Sequence, residues 1–262
     1  MARKRFGQHF LHDQRVIERI LSTLDARSDD RLVEIGPGQG ALTSPLLERV
    51  ARLSVIEIDR DLVAALRRQA EREPRLDVIE GDALKIDYAA LAEQRNGTLR
   101  LVGNLPYNIS SPLLFALLAS PAPIQDMHFM LQKEVVDRMV AEPGGRDYGR
   151  LTVTLGAQAH AEHLFDVPPG AFSPPPRVMS AVVRITPRPP LFELADQRLF
   201  YRLVTAAFSQ RRKTLRNALS AFVSVATIEA CDIDPGLRPE RLSAADFARL
   251  ANAVAAEAPA PD

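Results

Sequence analysis

The residues best placed to do chemistry in this 262-residue chain form the run Gly103-Asn104-Leu105-Pro106-Tyr107-Asn108, directly after an apolar stretch of strand length, Leu99 to Val102. The exocyclic amine of a purine such as adenine is a poor nucleophile because its lone pair is delocalised into the ring. An enzyme gains by accepting a hydrogen bond from each amine hydrogen, which makes the nitrogen more pyramidal. The side-chain oxygen of Asn104 and the main-chain carbonyl of Leu105 can do this. Pro106 stiffens the turn that aims them, and Tyr107 offers a flat face on which an extruded base can stack. With a sulfonium methyl held in line, displacement needs neither metal nor covalent intermediate, and catalysis reduces to orientation and electrostatics. The bland alternative is a polar turn with a half-buried tyrosine; the position at the end of a fourth strand favours the functional reading. Phe172, just before Ser173-Pro174-Pro175-Pro176, is either a second aromatic wall or simple core packing.

Upstream, Val33-Glu34-Ile35-Gly36-Pro37-Gly38-Gln39-Gly40 joins a first strand to a helix, and Gly36, Gly38 and Gly40 allow a tight turn with close ligand approach to the backbone. The spacing is Gly-x-Gly-x-Gly, whereas nicotinamide and flavin proteins more usually show Gly-x-Gly-x-x-Gly. Glu57 closes a second strand 21 positions after Gly36, where a carboxylate can accept both ribose hydroxyls of an adenosine in either cofactor class. A third strand ends in Gly81-Asp82-Ala83, bringing another carboxylate to the same sheet edge, where it can accept from an adenine amine. The alternative is a helix-capping Asp82 and a surface Glu57 on a scaffold that binds nothing. Against it, the features fall in order at the carboxyl ends of successive strands.

The elements that must position these residues follow from periodicity. Leu32 to Ile35, Leu53 to Ile58, Leu76 to Ile79, Leu99 to Val102 and Met127 to Leu131 alternate with helix-like segments, as in a parallel sheet flanked by helices. Leu62 to Arg72 carries apolar positions at a period near 3.6, with Asp59 or Asp61 to cap it. Tyr148 to Val167 fits strand or helix. A strand is expected at Ser180 to Ile185, and Pro187, Pro189 and Pro190 mark a linker. Beyond it come helix patterns only, Gln197 to Ser209, Thr214 to Phe222 and Ser243 to Ala255, so a boundary is placed after residue 187, giving domains 1–187 and 188–262.

Composition, at 46% hydrophobic and 25% charged, is that of a globular chain large enough for a core and a second small domain. No apolar run reaches the roughly 18 to 20 residues that span a bilayer, and no signal-peptide pattern follows Met1, so a cytoplasmic location without membrane contact is expected. The lone Cys231 excludes an internal disulfide and is read as a small buried residue. His160 and His163 lack partners at ligand spacing, and no metal is expected. Net charge is zero, from 33 basic and 33 acidic residues, but Arg3, Lys4 and Arg5, and again Arg211, Arg212, Lys213 and Arg216, cluster on what is read as one arm and one helix. Each cluster is a solvated surface or a phosphate-binding patch.

The chain resembles the ribosomal RNA adenine dimethyltransferase family, most of all its bacterial small-subunit branch. The resemblance rests on Arg5 to Leu11, Glu34 to Gly40, Glu57-Ile58-Asp59, Gly81-Asp82-Ala83, Gly103 to Pro112, Phe172 to Val183 and Arg211 to Asn217. It implies an α/β fold: a class I S-adenosylmethionine-dependent methyltransferase, Rossmann-like, with a seven-stranded sheet that ends in an antiparallel strand, and a small C-terminal all-helical domain. It also implies cofactor contacts at His9, Leu11, Gly36, Glu57, Asp82 and Asn104, with Ile58 and Ala83 in the same stretches, and a target-base cage of Asn104, Tyr107 and Phe172. His9 stands where the family often has asparagine. The implied substrate is a pair of adjacent adenines in the hairpin loop near the 3′ end of 16S rRNA, dimethylated at N6 in an immature small subunit by a monomer. Three rivals make different predictions. A sister enzyme of the antibiotic-resistance type modifies 23S rRNA. A nicotinamide oxidoreductase binds NAD and gives Asn104 to Tyr107 no role. An assembly factor keeps subunit binding when Glu57→Ala abolishes transfer.

Overall fold

The structure, a computed structural model, describes residues 9–210 and 212–257. Two compact units emerge. One holds the described residues of Met1–Val136 with Glu162–Pro187, the other Asp137–Ala161 with the described residues of Arg188–Asp262.

The first unit opens with β1 (Phe10–Leu11) and α1 (Gln14–Leu24), whose N-terminus is capped by Asp13 accepting from the amides of Arg15 and Val16. Four strand-and-helix repeats follow: β2 (Arg31–Ile35), α2 (Thr43–Leu47), β3 (Leu53–Glu57), α3 (Arg60–Ala70), β4 (Leu76–Glu80), α4 (Tyr88–Gln94), β5 (Leu99–Asn104) and α5 (Ser110–Ala119). After β6 (Ile124–Gln132) and α6 (Lys133–Met139) come α7 (Arg150–Gly156), β7 (Ala159–Val167), β8 (Phe172–Ser173) and β9 (Ser180–Pro187). The seven-stranded sheet has the order β4-β3-β2-β5-β6-β9-β7. Pairings among β2 to β6 are parallel, and β9 runs antiparallel to β6. The antiparallel strand is therefore last in sequence but not at the margin, because β9 inserts between β6 and β7.

Central strands β2 and β3 are buried along nearly their whole length, with Leu32, Val33, Leu53 and Val55 fully enclosed, which is why they read as continuous apolar runs. Each such side chain contributes on the order of 1.5–3 kcal/mol of transfer free energy. The exception inside β5 is Arg100. Its guanidinium pairs with both carboxylate oxygens of Asp126 at 3.0 and 2.9 Å and with Asp30 at 2.6 Å. It also donates to the Leu24 carbonyl at 2.7 Å, so the buried charge is fully partnered. Asp59 caps α3 through the amide of Asp61, as its position suggested.

The ambiguous stretch Tyr148 to Val167 resolves into both alternatives in succession, helix α7 and then strand β7. Residues 137–161, read from sequence as part of the catalytic domain, belong to the second unit. Tyr148, Val153 and Ala157 join the apolar cluster of that unit, and the Tyr148 hydroxyl donates to the Leu242 carbonyl at 2.7 Å. The cluster is built on α8 (Gln197–Phe208), α9 (Leu215–Ala218), α10 (Val225–Ala230) and α11 (Ala244–Glu257). The start of α11 carries reciprocal bonds between Ser243 and Asp246, each accepting from the other's backbone amide.

Thr214 to Phe222 is not one helix. Helix α9 starts where expected, with Thr214 as its cap and the first-turn amides of Leu215 and Arg216 donating to the carbonyls of Leu237 and Pro235, but regular structure stops at Ala218. Arg212 and Lys213 consequently lie in the turn before α9, with only Arg216 on the helix, so the basic cluster is not a helical face. Arg3, Lys4, Arg5 and Arg211 lie outside the described residues. Cys231 is half-buried, its thiol 3.8 Å from the Arg249 carbonyl, rather than enclosed.

Candidate active site

At the carboxyl ends of β2, β3, β4 and β5 lies a cavity of about 320 Å³, a volume typical of small-molecule sites. Its lining brings together His9, Leu11, Gly36, Gly38, Glu57, Ile58, Asp82, Ala83, Asn104, Leu105, Pro106 and Tyr107. Gly40 and Phe172 are not part of that lining.

The glycine turn is left-handed at Gly36, Gly38 and Gly40, with φ of +68°, +58° and +84°. Gly38 also faces the Phe10 ring so closely that an added Cβ would stand 3.1 Å from it. Gly40 thus shapes the turn without facing the cavity. Glu57, 5% exposed, closes the far side of the turn. One of its carboxylate oxygens accepts from the amides of Ile58 and Asp59, both at 2.9 Å, and the other from the Gly38 amide at 3.3 Å. Burial pushes this carboxyl above its ordinary range, opposed by the bonds from the Asp59, Gly38 and Ile58 amides. Asp82 caps the short turn Ala83–Lys85 through the Leu84 amide at 3.0 Å, and it also lines the cavity. Ile58 and Leu84 are 48% and 38% exposed in a unit whose other large apolar side chains are mostly enclosed. Beside two carboxylates, they give the cavity the mixed surface that suits a purine nucleoside.

Glu34 escaped the sequence reading as a site residue. It is 2% exposed, lines the cavity, and accepts from the Thr43 hydroxyl at 2.6 Å. Burial, against that hydrogen bond and with Glu57 adding to it, raises its carboxyl to about 7. The signal was available: an acid inside an apolar strand, two residues before the first glycine of the turn.

On the other side, β1 crosses the cavity. Its partner is β8, with Leu11 opposite Phe172 and Phe10 opposite Ser173. The Asn104 side-chain amide donates to the His9 carbonyl at 2.9 Å. A carbonyl only accepts, so this bond fixes the amide orientation and leaves Oδ1 as the acceptor. Leu105 donates its amide to the Met130 carbonyl at 3.2 Å, and its own carbonyl has no partner among the described residues. The His9 ring donates through Nδ1 to the Pro174 carbonyl at 2.7 Å and tilts against Tyr107, centroids 5.9 Å apart. Phe172 is 3% exposed and packs in the core rather than walling the cavity. Among the described residues, no His, Cys, Asp or Glu cluster could hold a metal, and no helix is long and apolar enough to cross a membrane. His160 is exposed, and His163 meets Asp166 at 2.8 Å.

Comparison with known proteins places this geometry in context. The chain is 56% identical over 255 residues to a ribosomal RNA small subunit methyltransferase A of Pseudomonas aeruginosa, covering 97% of this chain and 95% of that one. It is also 56% identical over 253 residues to the protein of the same name from Xanthomonas euvesicatoria, covering 96% and 95%. Among solved structures, a dimethyladenosine transferase from Plasmodium falciparum superposes with a TM-score of 0.79 at 26% identity, over 92% of this chain and 96% of that one. The 23S rRNA methyltransferase ErmE does so with 0.73 at 27%, over 94% and 99%. The family described as ribosomal RNA adenine dimethylase matches residues 1–256. That match spans nearly the whole chain, as do the relatives at 56% identity, and the chain belongs to the ribosomal RNA adenine dimethylase family.

Proposed function

We propose that this chain transfers methyl groups from S-adenosylmethionine to N6 of two adjacent adenines in the 3′-terminal hairpin loop of 16S rRNA, within an immature small ribosomal subunit, acting as a cytoplasmic monomer. The observation that carries the reading is Asn104, whose amide is turned by His9 so that its oxygen, like the Leu105 carbonyl, is open to an amine. S-adenosylmethionine supplies an electrophilic methyl group. The cavity suits it: Glu57 for the ribose hydroxyls, Asp82 for the adenine amine, Ile58 and Ala83 against the ring, and the turn at Gly36 and Gly38 with His9 and Leu11 closing round the rest. Gly40 holds the turn.

The residues of this chain contribute orientation and charge placement. Asn104 and Leu105 accept the two amine hydrogens, which draws the nitrogen lone pair out of the ring. Pro106 fixes the turn, Tyr107 stacks the base, and Phe172 supports β1 from behind. After transfer the nitrogen sheds one proton, and a second transfer repeats the step on the monomethylated amine. For docking, Arg211, Arg212, Lys213 and Arg216 of the helical, RNA-binding stretch 188–262, together with Arg3, Lys4 and Arg5 of the N-terminal arm, neutralise phosphates. Substrate choice follows the curated relatives at 56% identity, named for the small subunit, over the 23S rRNA enzyme at 27%.

The test supplies methyl-labelled S-adenosylmethionine with undermethylated small subunits and identifies the labelled nucleoside after digestion. Dimethyladenosine, lost in Asn104→Ala, is the expected product. Label in a pyrimidine, on a ribose, or only in 23S rRNA overturns the reading.

A further inference from the structure

Strand β9 carries a run of buried apolar residues, Ala181, Val182 and Val183, yet it begins with Ser180, which is 1% exposed. A buried hydroxyl is costly unless it is hydrogen-bonded. The partner of Ser180 is the phenol of Tyr107, 3.0 Å away across 73 residues of sequence. Tyr107 itself is half-buried and lines the cavity. Its opposite constraint is the His9 ring, anchored in turn to the Pro174 carbonyl. The ring is thus held at its hydroxyl by Ser180 at the start of β9 and flanked by the tilted ring of His9, in the segment leading into β1.

We infer that Ser180 is a positioning residue for the methyl-transfer reaction: it fixes the ring of Tyr107 so that the remaining face is preset for the target adenine. The inference rests on the proposed function for what stacks there, but the clamp itself is a property of this chain. Neither group moves a proton in this role. The phenol oxygen serves as a handle for the ring, and a hydroxyl at position 180 serves as its anchor. A preset platform spares the base the cost of ordering its own stacking surface, so the effect falls on productive RNA binding and leaves the cofactor side untouched. His9 alone does not supply this constraint, because a tilted ring contact permits sliding that a directional hydrogen bond forbids.

The test compares wild type, Ser180→Ala, Tyr107→Phe, the double variant and Ser180→Thr on undermethylated small subunits. Ser180→Ala is expected to lower kcat/KM for the RNA by roughly five- to tenfold, the scale of one modest hydrogen bond. KM for S-adenosylmethionine and the melting midpoint should stay near wild type. Tyr107→Phe should lose a similar factor, the double variant no more than either single variant, and Ser180→Thr should recover most of the loss. Unchanged RNA kinetics in Ser180→Ala, or losses that multiply in the double variant, overturn the inference. A second readout needs no substrate. The chain has only four tyrosines, so labelled protein resolves Tyr107 by NMR, and the order parameter of its side-chain axis should fall in Ser180→Ala, because the hydroxyl bond restrains swinging of that axis. Equal order parameters in the two proteins also refute the clamp. A loosened axis alongside a wild type that methylates no adenine would preserve the clamp and remove the proposed function instead.

Discussion

The side-chain amide of Asn104 on β5 and the main-chain carbonyl of His9 on the segment leading into β1 meet at 2.9 Å, 95 residues apart in sequence. The bond makes the orientation of Asn104 a property of the backbone of another element. Asn104→Asp is therefore not a conservative change: it sets a carboxylate oxygen against a carbonyl oxygen. At neutral pH, kcat should fall by about 10²- to 10³-fold, as for other lost transition-state contacts, and match Asn104→Ala. On acidification Asn104→Asp should recover part of its activity, because a protonated carboxyl can donate to His9, while Asn104→Ala should not. Single-turnover rates across pH check this; parallel profiles for the two variants contradict the role assigned to the amide.

The position of Asn104 depends in turn on Gly103. A Cβ at residue 103 would stand 2.4 Å from the Ile35 carbonyl, a backbone atom of β2 that cannot move away cheaply. Gly103→Ala should cost about 1–3 kcal/mol, the range for overpacking an interior, and should displace Asn104 along with the strand. A lowered melting midpoint together with a larger loss of kcat than of cofactor affinity is the expected pattern. A variant with wild-type melting and wild-type activity would show that the strands can spread there at no cost.

Much of this site was legible in the sequence because its parts sit at strand ends, where a period-two or continuous apolar run stops at a glycine, acid or amide. Glu57, Asp82 and Asn104 were found that way. Glu34 was passed over because it lies inside the run, where a charge is normally excluded, and only the Thr43 hydroxyl contact shows how it is accommodated. Phe172 could not be assigned, since an aromatic residue before a proline-rich turn looks the same whether it faces a cavity or the core; in the fold it is buried within the core cluster. The helix expected over Thr214 to Phe222 begins on time, with Thr214 as its cap, but ends at Ala218, and only turn bonds such as that from the Phe222 amide to the Leu219 carbonyl follow it. The second unit likewise recruits residues 137–161 through tertiary burial of Tyr148 and Val153, invisible to a boundary drawn from prolines.

Arg212, Lys213 and Arg216 are exposed and form no ion pair among the described residues. If they meet RNA phosphates, each alanine substitution should weaken binding similarly for matched and mismatched RNA and should reduce the slope of log affinity against log salt by about one. The expectation is checked by titrating fluorescent hairpin RNA at several salt concentrations. Slopes identical to wild type in all three variants would return these residues to the solvated surface.

Glu34 supplies a pH dependence whose sign can be worked out. Its carboxyl is raised from 4.5 to about 7 in the folded chain, so between those values the folded state binds more protons than the unfolded one. Stability therefore falls as pH rises: the contribution of the protonated carboxyl is complete below the unfolded value and is lost as pH climbs through about 7. Glu34→Gln keeps an acceptor for Thr43 and removes the ionisation. It should leave the melting midpoint unchanged near pH 5 and raise it near pH 8, by an amount corresponding to at most about 3 kcal/mol. Ligand binding runs the other way. The proposed cofactor is cationic, and a positive charge brought beside Glu34 and Glu57 favours their ionised forms. Binding at pH 6 should then release a proton, seen as a calorimetric heat that varies with the ionisation enthalpy of the buffer. In Glu34→Gln that release should shrink while the protein gains stability. A heat that does not depend on buffer in wild type would mean either that Glu34 is already ionised or that the cation binds away from it. The melting curves separate the two, because an ionised Glu34 would give the glutamine variant no gain at pH 8.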